Sequence, residues 1–283
     1  MTTYIQTDFV FLLIFVEMSG LREDMVTREG KENIAAISCF GYCKDCGKMH
    51  ELPSELAVPH CYALMEQLSE HRRIDFDLAP EDADPRLSTD GLYTAMRGRM
   101  FGILVCQDAA GKEVVLRAFS SRHNGVWNVP GWVPPLVDEH RFVAEVELGN
   151  LDIHPLTDLI ATLPKESKEW YLKIAERRIV SHGILAKLNA LYEIHNFRQE
   201  KRSLEAAFNL EKGIPVGTGD CCAPKLLNYA AIHHLKPISM AEFFWGRETA
   251  SGHRREGFFY TSCAEKCQPL LGYMLCGVNN PIQ

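Results

Sequence analysis

Three thiols placed around one helix and one strand, between residues 217 and 267, constrain this chain more than any other feature. Gly217-Thr218-Gly219-Asp220 is a turn that ends in a good N-cap residue. Pro224 follows in the first turn, where its missing N–H costs nothing. The reading is a helix from about Cys221, with Ala223, Leu226, Leu227 and Ala230 on its buried face and Leu235-Lys236-Pro237 as its stop. Residues 238–245 then read as a short buried strand. After a polar loop, Cys263 and Cys267 head the apolar run Leu270, Leu271, Met274, Leu275, and a helix there would put both thiols on one face. Thiols at two helix starts suit zinc, because thiolate is the ligand form and a helix N-terminus favours negative charge. The competing reading makes these cysteines small buried hydrophobes.

A first ligand opening one helix, then a strand, then a cysteine pair opening the next helix resembles the zinc nucleoside and nucleobase deaminases. The expected fold class is therefore α/β (α+β), a deaminase-like three-layer sheet with helices plus a long helical insertion. The pair here is spaced one residue wider than is usual there, and no Glu stands two residues after Cys221 to shuttle protons. Glu242 on the strand and Asp220 beside the first thiol are the candidate catalytic carboxylates. Zn2+ on Cys221, Cys263 and Cys267 would lower the pKa of a bound water towards 7, so a base deaminase-like hydrolase is one reading of function. Another alternative uses Cys221 or Cys222 as a covalent nucleophile with a His such as His233.

The same residues, Gly217-Thr218-Gly219-Asp220-Cys221-Cys222-Ala223-Pro224-Lys225-Leu226-Leu227 and Met240-Ala241-Glu242-Phe243-Phe244-Trp245-Gly246, carry a second and longer likeness. With them go Cys263, Lys266-Cys267, Pro269, Leu271-Gly272-Tyr273-Met274-Leu275, Met100-Phe101-Gly102, Ala118-Phe119-Ser120 and Gly131-Trp132-Val133-Pro134-Pro135-Leu136. Over roughly residues 35–278 the chain resembles the amino-terminal region of long RluA-type RNA pseudouridine synthases. In that family the catalytic Asp lies in a His-Arg-Leu-Asp-x-x-Thr-Ser-Gly-like motif of a separate carboxyl-terminal domain, and this sequence reaches Gln283 without it. The resemblance implies an RNA-modification setting in which these residues do not themselves isomerise uridine. The implied role is RNA binding, on ribosomal or transfer RNA, or service as an accessory to a catalytic pseudouridine synthase domain.

A second group of candidate metal ligands lies near the start. Cys43, Cys46 and His50 have the spacing of a zinc knuckle, for which Cys61 is the candidate fourth ligand. A helix over about residues 55–72 follows, with Pro59 near its start, then an acidic, proline-containing linker over residues 75–88. Residues 100–106 and 114–119 read as a hairpin, and the Trp-rich residues 126–133 as a third strand. Trp127 and Trp132 are candidates for base stacking, with core packing as the alternative, and Arg97, Arg99 and Arg122 for phosphate contact. Residues 152–210 read as mostly helical, with Pro155 and Pro164 marking helix starts. The domain reading is an extension or misassigned start over 1–34, a Cys/His unit over 35–80, and an α/β domain over 90–283 with a helical insertion at about 152–210.

Composition bounds these readings. In 283 residues of 46% apolar composition there is material for a sizeable core, and a net charge of −7 leaves room only for a local grip on RNA. Phe9-Val10-Phe11-Leu12-Leu13-Ile14-Phe15-Val16 is too short to cross a bilayer and lacks the basic flank of a signal peptide. A start at Met18 or Met25, or a buried edge strand, accounts for it equally well. Ten irregularly spaced cysteines without an export signal favour a reducing cytoplasm and no membrane partner.

Overall fold

The computed structural model describes residues 37–94, 97–209, 213–249 and 252–279. The readings placed on residues 1–34 lie outside these residues. Long-range contacts divide the chain into two units, one containing residues 144–184 and the other residues 33–143 with 185–283.

The larger unit is built on a strand that is buried on both faces. β3 (Arg99–Gln107) alternates Phe101, Ile103 and Val105 on one side with Gly102, Leu104 and Cys106 on the other, and all of these are buried. A strand with two apolar faces needs cover on both. β4 (Glu113–Phe119), β7 (Lys236–Trp245) and β8 (Phe259–Tyr260) complete an antiparallel sheet of order β4-β3-β7-β8. On the first face, Phe101, Ile103, Val105 and Phe243 join Cys61, Leu64, Met65 and Leu68 of α1 (Val58–His71) in one core. Pro59 sits in the first turn of α1, and Arg72 at φ 52° ends it in a left-handed cap.

On the opposite face lies α5 (Cys222–Ile232), with Cys222, Leu226 and Leu227 wholly buried. Its approach is close: a Cβ on Gly102 would stand 2.8 Å from the Cβ of Cys222 and 3.3 Å from Cγ of Glu242. Because Gly102 and Glu242 are register partners, Glu242 points to the α5 side of the sheet. A separate hairpin, β1 (Ile37–Cys43) and β2 (Lys48–Pro53), packs on the last helix, α6 (Gln268–Met274). The class is thus mixed α+β, with antiparallel sheets and six helices among the described residues.

Several expectations are corrected. Residues 126–133 form no strand of the sheet: His123 and Val126 close a bridge, Gly125 and Gly131 take positive φ, and Trp132 N–H bonds back to Val129 O. Turn chemistry at Asn124-Gly125 and Pro130-Gly131 outweighs the β propensity of Trp and Val. Residues 75–88 are not a loose linker, since Ile74, Asp75 and Leu87 are buried and Asp75 pairs with Arg73. The helices of this region are α2 (Glu139–Thr162), which carries Pro155 inside it, and α3 (Lys168–Asn189), which starts after Pro164. Beyond them β5 (Glu193–His195) and β6 (Lys201–Ser203) form a hairpin where helix was expected, followed by the single turn α4 (Leu204–Ala207). Asn196 sets that hairpin, its side-chain oxygen accepting from the Arg198 and Glu200 amides. Within the smaller unit, α2 and α3 approach closely at Gly149, where a Cβ would meet Ile184 at 2.8 Å. No helix among the described residues is long and apolar enough to cross a membrane.

Candidate metal centres

Among the described residues, side chains able to hold a metal ion gather in two groups. The first is Cys221, Cys263 and Cys267, with ligand atoms all within 4.8 Å of one another. Cys221 is the N-cap of α5, and its extended backbone lets the chain enter the helix from the Gly217–Asp220 turn. Cys263 opens a tight turn in which the Cys267 and Gln268 amides both bond to its carbonyl, and Cys267 is the N-cap of α6. The thiol pair is therefore brought together by a capping turn and not by one helix face. Their sulfurs lie 3.3 Å apart, against about 3.8 Å for the edge of a tetrahedron with 2.3 Å zinc–sulfur bonds. A displacement of a few tenths of an ångström per side chain closes that gap.

The electrostatics favour a thiolate here. Hydrogen bonds from the Cys221 and Cys267 thiols hold Cys263 well below the usual thiol range, and both donors are raised in consequence. Glu242 stands beside this group. Its carboxylate accepts from the Ala223 amide at 3.3 Å and from the Ser262 hydroxyl at 3.5 Å. Burial, and next the charge on Cys263, push its pKa up to about 7. Asp220 faces elsewhere, accepting from the Tyr192 hydroxyl at 2.9 Å, and burial raises its carboxyl while Lys225 opposes the rise.

The second group is Cys43 at the end of β1, Cys46 in the following turn, His50 on β2, and Cys276 just beyond α6. Four donors make a complete tetrahedral set. Burial, with Arg198 and Lys48 nearby, lowers the His50 pKa and so favours the neutral imidazole that binds metal. Cys46 Sγ and His50 Nε2 are 3.0 Å apart.

Cys61 does not join this group. It lies wholly buried on the sheet-facing side of α1, its thiol directed at Ala241 O, and burial raises its pKa. Cys276 takes the place expected of it, and local spacing could not show this because the donor comes from the far end of the chain. The nucleophile alternative also fails. Cys222 is buried with its thiol on Met100 O and its pKa raised well above normal, so it is held as the unreactive thiol. His233 is the C-cap of an eleven-residue helix, about 18 Å of rise from Cys221. Trp127 and Trp132 are buried; Trp132 donates to Ile74 O and packs on Phe101 and Phe119. Arg99 is turned inward to the Ser120 and Arg122 carbonyls. No family model, curated protein or solved structure matches this chain.

Proposed function

We propose that this chain is a zinc-containing module of RNA modification, acting in RNA binding or as an accessory to a pseudouridine synthase. One observation carries the zinc: Cys221, Cys263 and Cys267 converge within 4.8 Å from the caps of two helices joined by a central strand. That helix-strand-helix order supports a deaminase-like core, with α2 and α3 as its helical insertion. The RNA setting rests on the RluA-type resemblance. With a net charge of −7, contact with RNA must be local. The surface that best suits it is a cleft of about 520 Å³ lined by Tyr93, Arg97 and Arg247 together with Glu248 and Glu256. Arg255 is exposed on the same loop.

Two measurements test this. Elemental analysis of the purified chain should find zinc that Cys263→Ser and Cys267→Ser remove. Ultraviolet crosslinking to ribosomal or transfer RNA fragments should exceed that of an acidic control protein of equal size. Full zinc in the double variant, or crosslinking no stronger than the control, refutes the corresponding half of the reading.

One observation favours a second reading, a base deaminase-like hydrolase. The carboxylate absent two residues after Cys221 is supplied across space, because Glu242 accepts from the amide of residue 223 itself. A zinc ion on three thiolates leaves a fourth position and lowers the pKa of water held there. Glu242, buried and bonded to the Ala223 amide and the Ser262 hydroxyl, is placed to take up and return a proton there. Ammonia release from cytosine- or adenine-containing nucleosides and RNA, abolished in Glu242→Gln with zinc retained, supports it; no release from the zinc-loaded chain excludes it for these substrates.

A further inference from the structure

The two candidate centres lie at opposite ends of the same short helix. Cys267 is the N-cap of α6, and Cys276 stands two residues past its last residue, Met274. The two cysteines are nine positions apart along mostly helical chain, about 14 Å of rise. A helix of seven residues has little stability of its own. Its position must come from what holds its ends and its side.

The side is held by β1. A Cβ on Gly272 would overlap the carbonyl of Tyr42, and one on Gly41 would stand 2.6 Å from Gln268 O, so helix and strand touch backbone to backbone. β1 also reaches both centres. Near its start, Ser38 O accepts from the amide of Ser262, the residue before Cys263. At its end it supplies Cys43. The strand and the helix are thus two struts joining the same two centres. Neither centre can move without moving the struts.

We propose that Cys43, Cys46, His50 and Cys276 form a closed structural zinc centre, and that zinc there braces α6 and raises zinc affinity at Cys221, Cys263 and Cys267. The donor count assigns the roles. Four protein ligands fill the tetrahedron and leave no position for substrate, whereas three leave one open. Filling the closed centre fixes the C-terminal end of the helix that presents Cys267 and the strand packed along its side, so part of the ordering cost is met before the second ion arrives. The coupling is reciprocal by thermodynamic necessity, and a factor of about 10 falls within the range such couplings span.

This inference rests on the three-thiol reading, and the test separates the two. The full chain is titrated with zinc against a competing chelator, as wild type, Cys46→Ser and Cys263→Ser. Wild type should bind two ions with positive cooperativity. Each variant should bind one, at its surviving centre, about tenfold more weakly than that centre binds in wild type. Two ions bound independently, with unchanged affinity at the surviving centre in both variants, overturn the coupling and leave both centres standing. A single ion lost only in Cys263→Ser overturns the structural centre and leaves the proposed function intact. A single ion lost only in Cys46→Ser overturns the three-thiol centre and with it the coupling. The wild-type titration needs no variant to fold, and independent binding there is sufficient to reject the proposal.

Discussion

Glu242 gives the sharpest test of the electrostatics around the three thiols. Its pKa rises from 4.5 to about 7 on folding, through burial and then the Cys263 charge. A carboxyl raised in this way holds its proton more tightly in the folded chain than in the unfolded one. Its presence therefore costs nothing below pH 4.5, and the cost grows as pH rises from 4.5 to 7. At 1.36 kcal/mol per pKa unit the full cost is about 3 kcal/mol; it is about 1 kcal/mol at pH 5 and has nearly reached its limit at pH 7. Glu242→Gln keeps the shape and an acceptor for the Ala223 amide, and removes the titration. In the chelator-stripped chain this variant should melt higher than wild type by about 6 to 12 °C at pH 7.5 and by only about 2 to 4 °C at pH 5. Thermal unfolding followed by circular dichroism across that range measures it. A difference that stays flat from pH 5 to pH 8, or a variant less stable than wild type at pH 7.5, refutes the reasoning.

Cys61→Ala should leave zinc content unchanged, because that thiol sits in the α1 core, and should cost about 1 to 2 kcal/mol in chemical denaturation; loss of an ion on this substitution would return Cys61 to the ligand set. Gly272→Ala places a methyl group against the Tyr42 carbonyl and should destabilise by more than about 3 kcal/mol or abolish folded yield. Gly47→Ala, at φ 68° where a Cβ would meet only the Tyr42 hydroxyl at 4.0 Å, should cost only about 1 kcal/mol, so similar losses at the two glycines would argue against the helix-on-strand contact. Arg247→Glu, on the exposed cleft, should weaken RNA crosslinking with zinc content unchanged, whereas undiminished crosslinking moves the RNA surface elsewhere.

How much of this was legible from sequence depends on how far apart the cooperating residues lie. The hairpin was legible because two apolar runs flank a polar turn: residues 100–106 and 114–119 were expected, and Arg99–Gln107 and Glu113–Phe119 are found. The helix at Cys222–Ile232 and the strand after it were legible for the same reason, since cap, proline and apolar spacing agree. Residues 126–133 were misread because strand propensity was given weight over two glycines with positive φ and Pro130. Cys61 was misassigned because it follows the knuckle closely in sequence, although its spacing with Val58, Met65 and Leu68 already placed it on an apolar helix face. Cys276 was missed because spacing rules recognise ligands only when they are neighbours along the chain. The closeness of Gly41 and Gly272, which brings Cys276 to Cys43, has no one-dimensional signature at all.

The charges around the three-thiol group fit the reading of a filled centre. Zinc with three thiolates carries a net charge of −1, and a buried anion is tolerated only where cations lie close to it. One buried cation on α5 acts on this group. Lys225, in the first turn of α5, is buried with its ammonium on the Phe119 and Ser121 carbonyls. Burial pushes its pKa down, while Asp220 first, then Cys222 and Cys221, oppose the shift. Zinc with three thiolates would place an anion beside Cys221 that this cation stabilises. Lys225→Met should therefore weaken zinc binding at Cys221, Cys263 and Cys267 without touching any ligand, and should leave the Cys43 centre's own zinc in place. Zinc retention at the three-thiol group equal to wild type would show that Lys225 serves only to tie α5 to the loop after β4.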